Sequence, residues 1–79
     1  MDTTDALVAR LPTRTEQIRR YFWRDSEFRG FCEDFRSATE MLERLEQEAP
    51  PDLKRLAEYQ GLVAEMLDEA VAILEGEER

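Results

Sequence analysis

Two long segments, residues 26–48 and 51–75, each carry a stripe of mostly apolar side chains at helical spacing, which in the second alternates between three and four residues. The stripe of the first segment consists of Phe28, Phe31, Cys32, Phe35, Ala38, Thr39, Leu42 and Leu45. The stripe of the second consists of Leu53, Leu56, Gln60, Val63, Leu67, Ala70 and Leu74. Such spacing lines one face of an α-helix and is typical of helices that pack side by side. We therefore expect two amphipathic helices that bury these faces against each other.

The residues between the two segments predict how they are arranged. The chain reads APP at residues 49–51, and two prolines do not continue a helix. Pro51 suits the first position of the second helix, with Asp52 in its first turn, and Gly76 is a suitable stop. Because the connection is short, we expect an antiparallel helical hairpin. With 79 residues the chain makes a single all-α domain, near the lower size limit for a self-sufficient core.

A short N-terminal segment precedes the hairpin. Thr4 and Asp5 are suitable caps for a helix over residues 5–11, which Pro12 ends. Residues 1–12 are therefore expected to form a short helix or an arm.

A second short helix is expected over residues 13–24, beginning at Thr13 or Thr15. Asp25 then favours a new helix start, because an aspartate at the N-cap accepts a hydrogen bond from a free backbone amide. Glu27 supports that start, since an acidic side chain in the first turn interacts favourably with the helix dipole.

A second apolar flank of the final helix bears on the oligomeric state. The flank consists of Tyr59, Leu62, Met66 and Ile73. A helix that is apolar on two sides must be covered from two directions. Helix 13–24 can fold back on the flank through Ile18, Tyr21 and Phe22, but at about three turns it is too short to cover it fully. The alternatives are a three-helix bundle and a dimeric four-helix bundle, and we expect a homodimer.

Gln60 is the polar member of the second stripe. It either fixes the register or oligomeric state of the bundle, or lies at a solvent-exposed position near one end. The neighbouring Gly61 costs about 1 kcal/mol relative to alanine within a helix, and it would allow another backbone to approach closely.

Charge is unevenly distributed along the chain, which carries a net charge of −8. Residues 1–36 hold seven basic and seven acidic residues, whereas residues 37–79 hold four basic and twelve acidic residues. The acidic half opposes binding to nucleic acid and to anionic membranes. The first residues lack the positive charge of a signal peptide, and no apolar run reaches the roughly 18 residues of a membrane-spanning helix. We therefore expect a cytoplasmic protein that does not bind a membrane.

Six of the seven aromatic residues lie within residues 19–35, together with Arg19, Arg20, Arg24 and Arg29. Most of these aromatic side chains fall at core positions of the predicted helices. Trp23 does not, because it points toward Arg19 and Arg20, about 140° away from Ile18. It either covers the junction with the next helix or anchors a partner, as Trp and Arg often do at interfaces. Arg19, Arg20, Trp23 and Arg24 thus form a candidate partner surface.

Cys32 is the single cysteine and therefore the candidate thiol. A reactive thiol needs exposure and cationic neighbours, but the position of Cys32 on the stripe between Phe28 and Phe35 favours a buried structural role. The chain has no histidine, so a Cys-His nucleophile is excluded. The glutamates of residues 40–48 point mostly outward and have no Cys or His cluster beside them. We expect no catalytic residues, no metal site and no cofactor.

The stretch RDSEFRGFCEDF, residues 24–35, resembles a segment of short, largely uncharacterised bacterial proteins with the pattern R-D-x-E-F-R-x-x-C-E-D-F/Y. The resemblance extends over roughly residues 18–45. It implies a bacterial cytoplasmic origin and a helical hairpin, and it brings neither catalytic residues nor a ligand. Proline is common in that pattern where this chain has Ser26, a difference that affects only a helix start.

These features lead to one main hypothesis and two alternatives. The main hypothesis is a small non-enzymatic helical module for self-association or protein binding. The first alternative is a thiol-based redox sensor acting through Cys32. The second is weak nucleic-acid binding through the arginines of the N-terminal half, namely Arg14, Arg19, Arg20 and Arg24.

Overall fold

The computed structural model describes residues 3–77, and every regular element in that range is helical. The elements are α1 (Asp5–Arg10), a 3-10 turn (Pro12–Arg14), α2 (Thr15–Arg24), α3 (Ser26–Gln47) and α4 (Leu53–Glu77). The all-α prediction is confirmed. Within the described range, no helix is both long enough and apolar enough to cross a membrane.

The hairpin of α3 and α4 is the frame of the molecule. With 22 and 25 residues, the two helices are roughly 33 and 38 Å long, and they set the 45 Å long axis of the molecule. Asp25 caps α3 as expected, since its Oδ1 atom accepts a hydrogen bond from the backbone N–H of Phe28 at 3.0 Å. Asp52 caps α4 in the same way, accepting from the backbone N–H of Arg55 at 3.1 Å.

The core lies along the inner face of α3. The stripe predicted for this helix is buried except for Phe31, which is half-buried, and the largest side chain with no exposed surface is Phe35. From α4, the buried residues are Val63, Ala70 and Leu74. The predicted stripe of α4 is therefore buried between Val63 and Leu74, but not in the first turns of the helix.

The N-terminal helices pack mainly against α3. Both α1 and α2 pack against α3, and their fully buried residues Leu7 and Ile18 join the same core. Of the two covers considered for the flank of α4, helix 13–24 reaches only its C-terminal end, where Tyr21 and Ile73 line one pocket. Because α3 offers a wide apolar face, it accepts the hairpin partner on one side and the short helices on the other.

The final helix differs from the prediction at both ends. It begins at Leu53 rather than at residue 51, because Asp52 takes the N-cap position. It also continues past residue 75, so Gly76 does not stop it. Gly76 lacks the positive φ that a glycine stop uses, and the last turn is instead held by side chains of α2.

The first turns of α4 are only thinly covered. Leu53 is 70% exposed, Leu56 is half-buried and Gln60 is exposed. Of the two expectations for Gln60, the solvent-exposed position is the one found. An added Cβ at Gly61 would meet no atom within 4 Å, so this glycine does not mark a close approach of another backbone in the monomer.

Candidate functional site

The α2–α3 junction is a sharp and well-fixed corner. The chain turns at Asp25, whose backbone is extended between two helices. Arg29, in the first turns of α3, donates from Nη1 to the carbonyl oxygens of Phe22 at 2.8 Å and Trp23 at 3.3 Å. These carbonyls belong to the last turn of α2 and have no partner within that helix. The arginine therefore locks the end of α2 onto the start of α3.

The start of α2 is tied to the end of α4. Gln17 is buried, and its Nε2 atom donates to the carbonyl oxygen of Leu74 at 2.7 Å and to Oε1 of Glu77 at 3.1 Å. Arg24, two turns further on, donates from Nη2 to the other carboxylate oxygen of Glu77 at 2.8 Å. Arg14 adds an ion pair with Glu75 at 4.0 Å. These contacts join opposite ends of the chain and hold α2 rigidly in place.

The pKa of Glu77 clearly departs from its ordinary value. Its carboxylate accepts hydrogen bonds first from Arg24 and then from Gln17, and both hold its pKa below the usual 4.5. The positive charges of Arg24 and Arg20 act in the same direction, while partial burial opposes them. The folded state therefore favours the ionised carboxylate.

A Glu77→Gln variant is expected to be less stable than the unchanged protein at neutral pH. Its stability should also change less as the pH falls. Because folding lowers the pKa of Glu77, its stabilising contribution is complete above pH 4.5 and is lost as the pH falls through its folded pKa. Urea unfolding of both proteins between about pH 7 and pH 3 measures this. The stability gap should narrow as the solution becomes acidic. A gap that stays constant over this range would show that the charge of Glu77 does not matter.

The predicted partner surface is brought together on the outward side of α2. Trp23 is 72% exposed, and Arg19 and Arg20, four and three residues before it, lie on the same exposed helix face. The indole ring meets Phe22 edge-on, with ring centroids 5.3 Å apart. Because Trp23 is mostly exposed, the greater part of its side chain does not cover the junction between α2 and α3. We call Arg19, Arg20 and Trp23 the tryptophan surface.

Arg24, the fourth residue of the predicted surface, is also exposed and makes contacts within the fold. Its guanidinium pairs with Glu77 and lies 5.5 Å from the ring centroid of Tyr21. It therefore also contributes to the contact between α2 and α4 and to a cation–π contact. Sequence reasoning missed this because Glu77 lies 53 residues away.

On the other side of α2 lies an aromatic pocket with a volume of about 260 Å³. Its apolar walls are the side chains of Tyr21, Phe28, Phe31 and Ile73. Three carboxylates, those of Asp25, Glu27 and Glu69, also line it, and no basic residue does. We call this the junction pocket.

Stacked rings form the floor of the junction pocket. Tyr21 and Phe28 lie nearly parallel with centroids 4.6 Å apart, and Phe28 and Phe31 follow at 6.2 Å. The series continues into the core, since Phe31 and Phe35 are 6.4 Å apart. The spacing within α3 places these rings on one face, whereas their contact with Tyr21 depends on the corner at Asp25.

The predicted dimer flank is only partly exposed. Leu62 is 42% exposed, while Tyr59, Met66 and Ile73 are half-buried and pack against the hydrophobic core. A shallow groove of about 310 Å³ runs between α3 and α4, lined by Asp34, Ser37, Ala38, Met41, Tyr59 and Leu62. Much of the cover that the flank requires is thus supplied by α3.

Cys32 lies on the buried side of α3 and has no exposed surface. Reagents in solution cannot reach its sulfur atom without an opening of the fold. Among residues 3–77, no three His, Cys, Asp or Glu side chains are grouped so as to hold a metal ion.

No protein-family model, no curated protein and no solved structure matches this chain. Its function must therefore be inferred from its surfaces.

Proposed function

We propose that this chain is a small non-enzymatic interaction module that associates with itself and contacts another protein. The observation that carries the proposal is the 72% exposure of Trp23 beside two exposed arginines. A large aromatic side chain gains most when it is removed from water, and Trp and Arg are the residues that most often dominate binding energy at interfaces.

The rigidity of α2 supports this proposal. Gln17 and Arg24 hold the helix to the end of α4, and Arg29 holds its last turn to α3. Trp23 is therefore presented on a fixed helix rather than on a mobile segment. A fixed side chain loses little conformational entropy when it binds, so more of its interaction energy appears as affinity.

Self-association as a homodimer is the first part of the proposal. Leu62 and the half-buried flank residues Tyr59, Met66 and Ile73 leave apolar surface on the hairpin, and Trp23 adds a separate apolar site on α2. Closed two-fold dimers are the commonest way for a small protein to bury such surface. A partner of a different sequence would use the tryptophan surface as its anchor point. We place this module in the cytoplasm of a bacterium, as the resemblance of residues 24–35 implies.

The two alternative functions have less support. A redox sensor would need access to Cys32, which is fully buried. Nucleic-acid binding would need the basic side chains of the N-terminal half to face a phosphate backbone together. Arg14 and Arg24 are instead paired with Glu75 and Glu77.

Light scattering after size exclusion tests self-association directly. At micromolar concentrations we expect a particle of about twice the 9.3 kDa chain mass, which falls toward the monomer mass on dilution. A mass that stays at the monomer value from micromolar to millimolar protein would refute self-association.

A further inference from the structure

We infer that two copies of this chain associate by pairing their α4 helices antiparallel, about a two-fold axis at Gly61. The inference rests on the proposed self-association and names the face that produces it. We call this the open face of α4. Its side chains are all exposed and all uncharged, namely Leu53, Ala57, Gln60, Gly61 and Ala64.

The open face lies in the half of α4 that the rest of the chain leaves without cover. The polar contacts between α2 and α4 go to the last turns of α4, at residues 74–77. At the other end of the helix, Leu53 is 70% exposed. An antiparallel partner suits such a helix, because the covered end of each copy then lies beside the uncovered end of the other.

The charges beside the open face are self-complementary in this arrangement. Lys54 and Asp68 are exposed and lie seven residues before and seven residues after Gly61. Seven residues are about two helical turns, so all three positions share one edge of the helix. Antiparallel pairing about Gly61 puts Lys54 of each copy level with Asp68 of the other and forms two ion pairs. These pairs fix both the direction and the register of the two helices.

Leu53 gains its missing cover in the same register. It lies level with residue 69 of the second copy, between that copy's half-buried Leu67 and Val71. Leu67 and Val71 continue the spacing of the open face by three and then four residues, so the three side chains face each other across the pair. Two copies make this contact twice, once at each end. Because each open face is used once, the assembly closes at two copies.

Gly61 lets the two helices approach closely at the axis. An added Cβ at this position would meet no atom within 4 Å in the single chain, so the space beside it is open. Ala57 and Ala64, on the adjacent turns, are also small. Small side chains at the contact allow helices to pack at the lower end of the usual separation of about 8–10 Å. Contact with a second copy thus offsets what a glycine costs in the middle of a helix.

The flank of α4 on the other side is less suited to self-pairing. Leu62 has Glu58 four residues before it and Glu65 three residues after it, so both acids share its exposed helix face. Two flanks packed on each other would bring these like charges together. The open face carries no charge, and the charges at its edge are of opposite sign.

Charge reversal at Lys54 and Asp68 tests the arrangement. In Lys54→Asp and in Asp68→Lys, both intermolecular pairs become like-charged, and we expect each variant to dissociate about tenfold more readily than the unchanged protein. Sedimentation over a concentration series measures this. General repulsion cannot explain a loss in both variants, because the two substitutions change the net charge in opposite directions.

An equimolar mixture of these two variants should regain the association. One copy of each variant again places opposite charges at both contacts, whereas each variant with itself does not. Variants that dimerise as well as the unchanged protein, or a mixture that stays dissociated, would overturn the inference.

Gly61→Lys tests the close approach at the axis. The added side chain obstructs the contact and sets two like charges opposite each other, so we expect dissociation at least about tenfold more readily. Gly76→Lys is the matched control, since Gly76 is equally open and lies beyond the open face. Its dimer should be as stable as that of the unchanged protein. Circular dichroism verifies that every variant is folded.

The remaining outcomes separate the inference from the proposed function. If Gly61→Lys remains dimeric while Leu62→Ala dissociates, the flank is the interface, so the inference fails but self-association stands. If Gly61→Lys and Gly76→Lys dissociate equally, the axis does not lie at Gly61 and the inference fails. If the unchanged protein is monomeric up to millimolar concentration, both the inference and the proposed self-association fail.

Discussion

Replacing Phe35 by alanine is expected to lower the free energy of unfolding by about 3–5 kcal/mol, the range for removing a fully buried phenylalanine. Phe35 has no exposed surface and lies at the inner end of the ring series that begins at Tyr21. The substitution removes both the apolar area that folding hides from water and the ring contact with Phe31. It leaves a cavity that the locked helices α2 and α3 cannot readily close.

The loss is large compared with the total stability of such a chain. At 0.05–0.15 kcal/mol per residue, a protein of 79 residues has roughly 4–12 kcal/mol of stability, so the substitution removes at least about a quarter of it. Urea unfolding followed by circular dichroism at submicromolar protein, where association contributes least, measures the difference. Trp23→Ala is the matched control, an aromatic truncation at an exposed site, and we expect it to change stability by no more than about 0.5 kcal/mol. A Phe35→Ala cost below 1 kcal/mol would contradict the packing described for α3.

The thiol of Cys32 is expected to react with a thiol reagent at least about a thousandfold more slowly in the folded protein than in denaturant. Cys32 belongs to the hydrophobic core and has no exposed surface, so reagent reaches its sulfur only when the fold opens. With roughly 4 kcal/mol or more of stability, the open fraction is about one in a thousand or less, since each 1.4 kcal/mol is a factor of ten. Labelling with a chromogenic disulfide reagent measures the rate.

The variant Phe35→Ala links the two predictions. Because it raises the open population, it should accelerate the labelling of Cys32 strongly, while Trp23→Ala should leave the rate nearly unchanged. Labelling of the native protein within seconds at the rate seen in denaturant would contradict the burial of Cys32. That result would also favour the redox-sensor alternative over the interaction module.

The elements that local chemistry specifies were predictable from the chain itself. The apolar spacing of residues 26–48 predicted the stripe that α3 buries, including Phe35 and Cys32. Asp25 predicted the break between α2 and α3, because a capping carboxylate acts on an amide only three residues away. The mismatch of Trp23 with the core positions left two alternatives, cover for the helix junction or an exposed anchor, and only the structure showed that the side chain is 72% exposed.

Other parts of the candidate site depend on contacts between distant residues. Nothing in the sequence indicated that Glu77 accepts hydrogen bonds from Gln17 and Arg24, because contacts between residues this far apart in the chain follow no spacing rule. The junction pocket likewise brings Tyr21 and Phe28 of two helices against Ile73 of a third. The contact of Arg24 with Glu77 was not foreseen for the same reason.

The sequence by itself determined that the chain is helical, where its helices break and which face of each long helix is apolar. Those properties follow from backbone preferences and from a repeat of 3.6 residues, and both act over a few positions. Only the tertiary structure decided that α1 and α2 cover α3, that Gln60 lies in water, and that aromatic rings and carboxylates share one pocket. An apolar face requires a cover but does not specify which element provides it, because the hydrophobic effect has no direction.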